Sequence, residues 1–436
     1  LVGSTPESLP CATLRGRWQV AASMSGAVSD LSARVILDSR GNPTVEVDCC
    51  VDGVLRGRAA VPSGASTGSY EAVELRDGGA QWAGRGVDTA VAHVNGEIRN
   101  ALMGMDVNDQ EAIDATLIAL DGTANKGRLG ANAILGASMA CLRAAADGPL
   151  WAHIAGRDRS SLPVPQMNIL NGGVHASSNV DVQEFMVVPH GFDSFPRALR
   201  AGVETYHALK SVLKEEGLLS GVGDEGGFAP NLPRNEDGLR HVLGAIERAG
   251  YTPGEQISIA LDCAAEEFHR DDGYHIDGKV MSGSELGELY SSWLDNYPIV
   301  SLEDAFGEDD WGSWVEFTAS EGGRVQIVGD DLYVTNPARF ARGIAEGASN
   351  AILIKLNQIG TVTETLRVME MARTSGFATV ISHRSGETSD DIIADFAVGT
   401  DAKQIKTGAP ARSDRTSKYN QLLRIAEQCS DFTDLF

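Results

Sequence analysis

A series of six short apolar runs between residues 257 and 406 constrains the fold more than any other feature of the chain. Each run stops at a charged or polar side chain, and successive stops lie 23 to 41 residues apart, at Asp262, Glu303, Asp330, Lys355, His383 and Lys406. A strand, a turn and a covering helix need about 30 residues, so this spacing is typical of repeated β-α units. Because apolar strands that alternate with helices form buried parallel sheets, we predict an α/β fold with a (β/α) barrel in the C-terminal part.

The residues that stop the six runs are candidates for a functional site. A (β/α) barrel gathers its chemistry at the carboxyl ends of its strands, and these residues would bring three carboxylates, two lysines and a histidine to one mouth. The alternative is that each residue merely marks the end of a strand. That alternative explains a single such residue more easily than it explains all six at matching positions. We therefore favour the interpretation that the six residues form a functional site.

The length, charge and cysteine content exclude several classes of protein. A chain of 436 residues is too long for one ordinary core, so we expect two domains. A formal net charge of −24 makes nucleic acid and anionic membrane surfaces poor partners. Six scattered cysteines without a CxxC pair argue against a disulfide framework or a zinc site and fit a reducing cytoplasm. No apolar run approaches the roughly 20 residues of a membrane span, so we expect a cytoplasmic location and leave a second location at the cell surface open.

The residues before the barrel predict a smaller domain. Residues 33–60 alternate polar and apolar side chains as a half-buried antiparallel meander does, most clearly at 44–49. Helical patterns follow at about 86–103, 109–119 and 129–147. We therefore predict a smaller α+β domain over residues 31–158 and a barrel domain over residues 159–436.

The first residues differ in character from the rest. The chain begins at Leu1, and the segment before Met24 has no apolar stretch of the kind that a secretory signal carries. We interpret residues 1–30 as an N-terminal extension that is disordered or not native, with Met24 as the natural start. A transit peptide is the alternative, since the segment contains Arg and Ser and a single acidic residue.

Further polar segments carry candidate residues that are ambiguous alone. The small-residue loop 62–68 is either a surface turn or a mobile lid whose backbone approaches a ligand closely. His175 follows a glycine turn and is either structural or functional. Gln183 and Glu184 lie within an apolar strand, where a carboxylate needs a partner or a function. Glu225 follows another acid in a glycine-rich loop that could be a simple turn.

Several long motifs of this chain are similar to those of the enolase family. Examples are DSRGNPTVE and SHRSGET, and the matching segments are 38–46, 63–68, 223–227, 261–264, 382–388 and 404–413. The resemblance extends over roughly residues 33–428 and leaves residues 1–23 without a counterpart.

The resemblance implies both a fold and a reaction. The fold is an N-terminal α+β cap on a C-terminal modified (β/α)8 barrel, whose first units depart from strict β-α order. The reaction is the reversible dehydration of 2-phospho-D-glycerate to phosphoenolpyruvate in glycolysis and gluconeogenesis. Two Mg²⁺ ions per active site would stabilise the aci-carboxylate formed when the C2 proton leaves. The resemblance also implies a homodimer or a higher homo-oligomer.

The resemblance assigns roles to individual residues. Lys355 would remove the C2 proton, and Glu225, assisted by Glu184, would protonate the departing C3 hydroxyl. Three carboxylates would hold the first Mg²⁺ ion, namely Asp262, Glu303 and Asp330. Ser66 would help to bind the second ion. The substrate would contact His175, Gln183, Glu184, His383, Arg384, Ser385 and Lys406.

The implied chemistry gives these residue types a reason. Carboxylates without a cysteine pair or a histidine cluster suit a hard ion, and Mg²⁺ fits best, with Mn²⁺ next. A lysine must be neutral before it acts as a base, and the metal ions and Lys406 would favour loss of the Lys355 proton. Glu225 must carry a proton to release hydroxide, and we expect Asp224 and a partly dry loop to raise its pKa. The planar guanidinium of Arg384 suits a phosphate.

Two alternative functions compete with this interpretation. The first is another carboxylate lyase of the enolase superfamily, but the set His383, Arg384 and Ser385 is suited to a phosphate. The second is a non-catalytic binding protein built on the enolase fold. Loss of a metal ligand or of the base would indicate that alternative, and all of these residues are present in the sequence.

Overall fold

The computed structural model of the chain describes residues 26–64, 68–156, 160–176, 178–433 and 435–436. Two predictions fall outside the described residues, namely the character of residues 1–25 and the role of Ser66. Among the residues that are described, no helix has both the length and the apolar character needed to cross a membrane.

An antiparallel sheet opens the first domain, with strands β1 at Val28–Leu37, β2 at Pro43–Val51 and β3 at Val54–Ala60. The predicted meander is confirmed, but its predicted start at residue 33 is wrong. β1 begins at Val28, which is buried and pairs with Val51. A register irregularity between Val28 and Asp30 breaks the period-two pattern, and this irregularity hid the start of the strand in the sequence.

Helices then cover the sheet, and the three predicted helical patterns are confirmed. The helices of this domain are α1 Asp88–His93, α2 Arg99–Leu102, α3 Gln110–Asp121, α4 Ala131–Ala145 and α5 Leu150–Ala155. A π-helical turn at Val94–Ile98 joins α1 to α2, and a 3₁₀ turn at Gln81–Gly84 precedes them. Small residues let α4 lie very close to β3, since a Cβ on Gly57 would lie 2.0 Å from the carbonyl oxygen of Ala140.

The second domain is a closed barrel of eight strands with a small three-stranded sheet beside it. The strands of this domain are β4 Val164–Asn171, β5 Glu184–Val188, β6 Ser258–Asp262, β7 His269–Arg270, β8 Gly273–Ile276, β9 Lys279–Met281, β10 Ile299–Glu303, β11 Gln326–Gly329, β12 Ala351–Ile354, β13 Ala378–Ser382 and β14 Lys403–Lys406. Strands β7, β8 and β9 form the small sheet, and the other eight form the barrel.

Helices surround the barrel, as the alternating pattern predicts. They are α6 Phe195–Glu215, α7 Asn235–Arg248, α8 Gly283–Asn296, α9 Trp311–Glu321, α10 Pro337–Glu346, α11 Leu356–Ile359, α12 Val362–Thr374, α13 Ile392–Gly399 and α14 Ser413–Ala426. Two 3₁₀ turns lie at Gly173–His175 and Ala265–Phe268.

The barrel departs from strict β-α order at its beginning, as the resemblance implies. β5 is antiparallel to both β4 and β6, whereas the pairs formed by the strands from β10 to β14 are parallel. The link from β4 to β5 contains a 3₁₀ turn where a parallel pair would need a long crossover, so β5 returns in the opposite direction. Two helices, α6 and α7, then lead to β6. The fold class is confirmed.

Candidate active site at the mouth of the barrel

The carboxyl ends of the barrel strands bring all six residues that stop the apolar runs to one mouth. Three of them end their strands, namely Asp262 in β6, Glu303 in β10 and Lys406 in β14. The other three directly follow β11, β12 and β13, namely Asp330, Lys355 and His383. The structure therefore confirms that the spacing of these residues places them at one end of a barrel.

Lys406 lies among three carboxylates. Its Nζ donates to Asp262 Oδ2 and to Glu303 Oε1, both at 2.8 Å, and lies 3.1 Å from Glu184 Oε1. All four side chains are buried. Burial lowers the pKa of Lys406, but the surrounding carboxylates outweigh burial and raise this pKa well above its ordinary value. Lys406 is therefore a permanent positive charge in the site.

Lys355 is paired with another carboxylate of the mouth. Its Nζ donates to Asp330 Oδ2, and Gln358 Nε2 donates to Asp330 Oδ1 at 2.8 Å. Burial lowers the pKa of Lys355, but the charges of Asp330, Asp331 and Glu303 together outweigh burial and raise this pKa above its ordinary value. The expected ease of proton loss depends on bound metal ions and stays a prediction. In this arrangement the carboxylates around Lys355 favour the charged amine.

Two buried glutamates lie on either side of a histidine. The Nδ1 atom of His175 lies 3.8 Å from Glu184 Oε1 and 3.6 Å from Glu225 Oε1. Asn168 Nδ2 donates to Glu225 Oε2 at 2.9 Å, and His383 Nε2 lies 3.3 Å from Glu225 Oε1. Glu225 thus has several polar neighbours, whereas Glu184 Oε2 has no hydrogen-bond partner within the described ranges.

The two glutamates have opposite pKa shifts. Burial, followed by the charge of Glu225, raises the pKa of Glu184 well above its ordinary value. Burial also acts to raise the pKa of Glu225, but His383, His175 and nearby cations together lower it well below its ordinary value. The expectation that Glu225 has a raised pKa is therefore wrong for this arrangement. Of the two glutamates, Glu184 therefore has the higher pKa.

Arg384 is tied to the capping domain. Its guanidinium makes a two-point ion pair with Glu71, with Nη1 and Nη2 each 3.0 Å from a carboxylate oxygen, and Nη1 donates to Asn357 Oδ1 at 2.8 Å. Only 3% of the Arg384 surface is exposed. The cap therefore supplies a charged partner to the site.

The predicted residues line a small cavity of about 20 Å³. Its lining consists of His175, Gln183, Glu184, Glu225, Asp262, Lys355, Ser382, His383, Arg384, Ser385 and Lys406. The predicted carboxylates Glu303 and Asp330 lie beside this cavity, in contact with Lys406 and Lys355. Of the predicted site residues, Ser66 belongs to the segment 65–67 outside the described residues.

The small-residue loop is attached to the barrel at its described ends. Ser63 and Gly386 exchange two backbone hydrogen bonds of 2.7 and 2.8 Å, and the backbone N–H of Ser69 donates to Glu308 at 3.0 Å. These contacts fit the interpretation as a lid at the mouth better than that as a free surface turn.

The carboxylates at the mouth fit a divalent cation. Within the described part of the chain, the buried Oε2 of Glu303 has no hydrogen-bond partner. Asp304, Asp330 and Asp331 offer oxygens that lie within 4.8 Å of one another. Burial, together with the charges of Asp262 and Asp330, raises the pKa of Glu303 well above its ordinary value. Crowded, buried oxygen ligands suit a hard divalent ion.

The sequence analysis missed residues that shape the site, namely Glu71, Asn168, Gln358 and Arg415. Asn168 lies in a fully buried strand, β4. A polar residue in an apolar strand is the same signal that marked Gln183, so Asn168 could have been found. The other three give no local signal, because their partners lie in distant parts of the chain, as Glu71 and Arg384 do.

Comparisons with known proteins agree with this geometry. The family model for the enolase N-terminal domain matches residues 28–154, and that for the enolase C-terminal TIM barrel domain matches residues 159–435. The chain is 58% identical to an enolase of Acidothermus cellulolyticus over 407 residues, which cover 93% of this chain and 95% of that protein. It is 55% identical to an enolase of Natranaerobius thermophilus over 406 residues, which cover 92% and 95%.

Proposed function

We infer the chemistry of this site from the premise that the chain belongs to the enolase family, as the two family models and the two relatives show. The chain is a hydro-lyase, a phosphopyruvate hydratase of glycolysis, and it interconverts 2-phospho-D-glycerate and phosphoenolpyruvate. The family implies a divalent metal ion, and the acidic groups at the mouth could bind one.

We propose Lys355 as the base that removes the C2 proton of the substrate. Its amine lies in the cavity and contacts Asp330. The raised pKa means that the amine is charged in this arrangement. It becomes a base when the negative charge of Asp330 is neutralised, since its burial then favours the uncharged form. Arg384, which lowers the pKa of Lys355, acts in the same direction.

Glu225 is the proposed acid that protonates the departing C3 hydroxyl, with Glu184 as its assistant. Hydroxide is a poor leaving group, so a proton must reach it as the C–O bond breaks. Of the two glutamates, Glu184 has the higher pKa before substrate binds. A proton has to pass to Glu225 for the acid role, and His175 lies within 3.8 Å of both carboxylates.

The remaining cavity residues are the proposed substrate contacts. Arg384 offers two parallel N–H donors to phosphate, a geometry that it already uses toward Glu71, and Ser385 adds a hydroxyl. His383 and His175 offer ring nitrogens, and both nitrogens of His175 are buried without a hydrogen-bond partner in the described part. The same set includes Gln183, Glu184 and Lys406.

The proposed metal ions are two Mg²⁺ ions. Asp262, Glu303 and Asp330 would hold the first, and Ser66 would help to hold the second. When bound, the ions supply positive charge against the negative charge that develops on the substrate carboxylate. These three carboxylates accept hydrogen bonds from Lys406 and Lys355, so positive charge is already bound where the first ion would lie.

We also propose a cytoplasmic homodimer or higher homo-oligomer with a capping domain at 31–158 and a barrel domain at 159–436. The limits of the two matching family models, 28–154 and 159–435, support this division. The assembly and location rest on the family resemblance and on the cysteine usage.

The observation that carries the proposed roles is the position of Lys355 at one mouth with Asp262, Glu303 and Asp330. The test is the formation of phosphoenolpyruvate from 2-phosphoglycerate, followed by absorbance with Mg²⁺, after chelation, and after Mg²⁺ is restored. We expect the product to form, to stop forming on chelation and to return with Mg²⁺. Turnover that chelation leaves unchanged would contradict the metal role, and the absence of product with Mg²⁺ would contradict the residue roles.

A further inference from the structure

Arg415, on α14, is fully buried and lies behind the cavity. Its Nη1 donates to the Arg384 carbonyl oxygen at 2.6 Å and contacts His383 Nδ1. Its Nη2 donates to the Ser385 carbonyl oxygen at 2.6 Å and to that of Asp224 at 3.3 Å. The relative exposure of Arg415 is 0%, and its Nε lies 2.8 Å from Asp414 Oδ2. The guanidinium therefore contacts the backbone of two loops, one imidazole and one carboxylate.

The contact with His383 fixes where the imidazole proton lies. A guanidinium has only donors and keeps its charge in proteins, so Nδ1 of His383 has to be the acceptor. A neutral imidazole then carries its proton on Nε2. That Nε2 atom is buried and has no hydrogen-bond partner among the described residues, and His383 is one of the residues that line the cavity. Glu225 Oε1 lies 3.3 Å from Nε2 but does not form a hydrogen bond with it, so the N–H is able to donate to a ligand.

We propose that Arg415 is a positioning residue that holds His383 as a neutral imidazole with its proton on Nε2 and thereby makes His383 a hydrogen-bond donor to the substrate. The substrate part of this proposal rests on the proposed function. The tautomer itself is a property of the protein without substrate, so the two parts can fail separately.

The charges around His383 support a neutral ring. Arg415, Lys406 and Lys355 face it from α14, β14 and the end of β12, and Glu225 faces it from the loop before α7. A second proton on the ring would have to go to Nδ1, where the Arg415 N–H groups already point. Burial and the three cations therefore oppose protonation, and Glu225 alone favours it.

Close packing keeps the guanidinium in this position. Gly408 has a φ of +77°, and a Cβ there would lie 2.9 Å from Arg415 Cδ and 3.0 Å from both His383 Cε1 and the Glu225 carbonyl oxygen. The backbone of Gly408 thus fills the space beside the arginine stem, the imidazole and the acid loop at once. Arg415 consequently joins the loop of His383 to the loop of Glu225 with little freedom to move.

The test measures the ring nitrogens of His383 by ¹⁵N NMR on protein with ¹⁵N-labelled histidine. The chain has 9 histidines, and His383→Asn identifies the signals of His383 by their disappearance. We expect the wild-type ring to show a bare Nδ1 and a protonated Nε2 from about pH 5 to 8, the range in which an ordinary histidine titrates. A proton on Nδ1, or on both nitrogens at neutral pH, would overturn the proposal.

Arg415→Gln is the informative variant, because an amide can either donate or accept. We expect His383 in this variant to show a mixture of tautomers or to titrate within the same pH range, and kcat/KM to fall about tenfold or more. Lys418→Gln is the matched control, since Lys418 is another buried cation of α14 and its Nζ donates to Glu387 at 2.8 Å without touching His383. We expect the control to leave the His383 signals in place.

Arg415→Lys keeps the proposal testable if Arg415→Gln does not fold. An ammonium group also only donates, so we expect the Nε2 tautomer to persist in this variant if lysine reaches Nδ1, and to become mixed if it does not. The positioning role would be refuted if a variant without a cation near Nδ1 still showed the wild-type tautomer and titration of His383. A kinetic loss in Arg415→Gln without any change at His383 would do the same.

Discussion

The site layer of the barrel and the layer of polar side chains directly beneath it are both buried, but they differ in how well their polar atoms are paired. In the inner layer, Gln404 accepts from Gln166 at 2.8 Å and from Gln326 at 3.0 Å, and donates back to Gln326 at 2.7 Å. Gln326 also donates to Ser301 at 3.0 Å. Gln404 lies two residues before Lys406 on β14, so both point into the barrel.

The site layer contains polar atoms of equal burial that lack partners. Within the described residues these atoms are found on His175, Gln183, Glu184, Glu303 and His383. An unpaired buried polar group costs about 1–3 kcal/mol, so a fold retains it only where something else is gained. The paired layer thus stabilises the barrel, whereas the described part of the site layer keeps buried polar atoms that can bind a ligand.

The largest effect is expected for Lys355→Ala. If Lys355 is the base, this change removes the group that takes the C2 proton, and we expect exchange of the C2 hydrogen with solvent to fall by about 10²–10⁴-fold or more. NMR of substrate labelled with deuterium at C2 measures this exchange. Lys403→Ala is the control, because Lys403 lies at the other end of β14 and pairs with Asp401 at 2.7 Å. Exchange near the wild-type rate in Lys355→Ala would remove Lys355 from the base role.

Glu225→Gln separates the two halves of the reaction. The amide keeps the shape of the side chain and its contact with Asn168 but cannot give a proton to the leaving hydroxyl. We expect overall turnover to fall by about 10²–10⁴-fold while exchange at C2 falls less. Both rates are measured on the same preparation. An equal loss of the two rates would argue against separate acid and base residues.

Gln404→Leu tests the other side of the comparison. The change leaves the buried amide nitrogen of Gln166 and the buried amide oxygen of Gln326 without partners. We expect the free energy of unfolding to fall by about 2–5 kcal/mol. The KM should stay near that of the wild type, because Gln404 does not line the cavity. Urea unfolding and steady-state kinetics measure the two effects. Ile405→Val, which removes one buried methyl at the next position, should cost only about 0.5–1.5 kcal/mol.

If Gln404→Leu lost activity while its stability stayed unchanged, the proposed difference between the site layer and the inner layer would be wrong. It would mean that the inner glutamines position the site rather than support the barrel.

The sequence predicts most of the fold, and the position of six charged or polar residues at one mouth, because both depend on local patterns. Each apolar run that ends at a charged residue is a strand whose end reaches the mouth, as for Lys355 after β12. The start of β1 escaped this reasoning because an irregularity at Val28 breaks the alternation. The pairing of Glu71 with Arg384 also escaped it, because the two residues are 313 positions apart and only the folded chain brings them together.

The protonation states of the site were predicted least well. The expected rise in the pKa of Glu225 has the opposite sign in the structure, whereas the expectation for Lys355 depends on bound metal ions and stays a prediction. Burial does act to raise the pKa of Glu225, but the groups that the fold places beside its carboxylate, led by His383 and His175, lower it. Neighbours in the sequence, such as Asp224 beside Glu225, say little about them.

The smallest effect concerns a buried carboxylate outside the site whose polar atoms are paired. Asp395 accepts from the Trp151 backbone N–H at 3.2 Å and from Gln421 Nε2 at 3.0 Å, yet burial raises its pKa to about 6. Below about pH 4 the group is protonated in the folded and the unfolded chain alike. As the pH rises toward 6, the unfolded chain loses the proton first, so the stability that this group contributes at low pH is lost.

Asp395→Asn should therefore gain stability relative to the wild type as the pH rises from about 4 to 7, by about 1–3 kcal/mol in urea unfolding. Asp48→Asn is the matched variant of opposite sign. In the wild type, the hydrogen bond from Arg58 is the main cause that lowers the pKa of Asp48 to about 2. Asp48 therefore stabilises the fold above about pH 4, and this stabilisation is lost as the pH falls through 2. We expect Asp48→Asn to destabilise the protein at pH 7. The opposite result would be the same difference in unfolding free energy between Asp395→Asn and the wild type at pH 4 and at pH 7. That result would mean that the hydrogen bonds of Asp395 keep its pKa at the ordinary value, so that burying a fully paired carboxylate has no electrostatic cost.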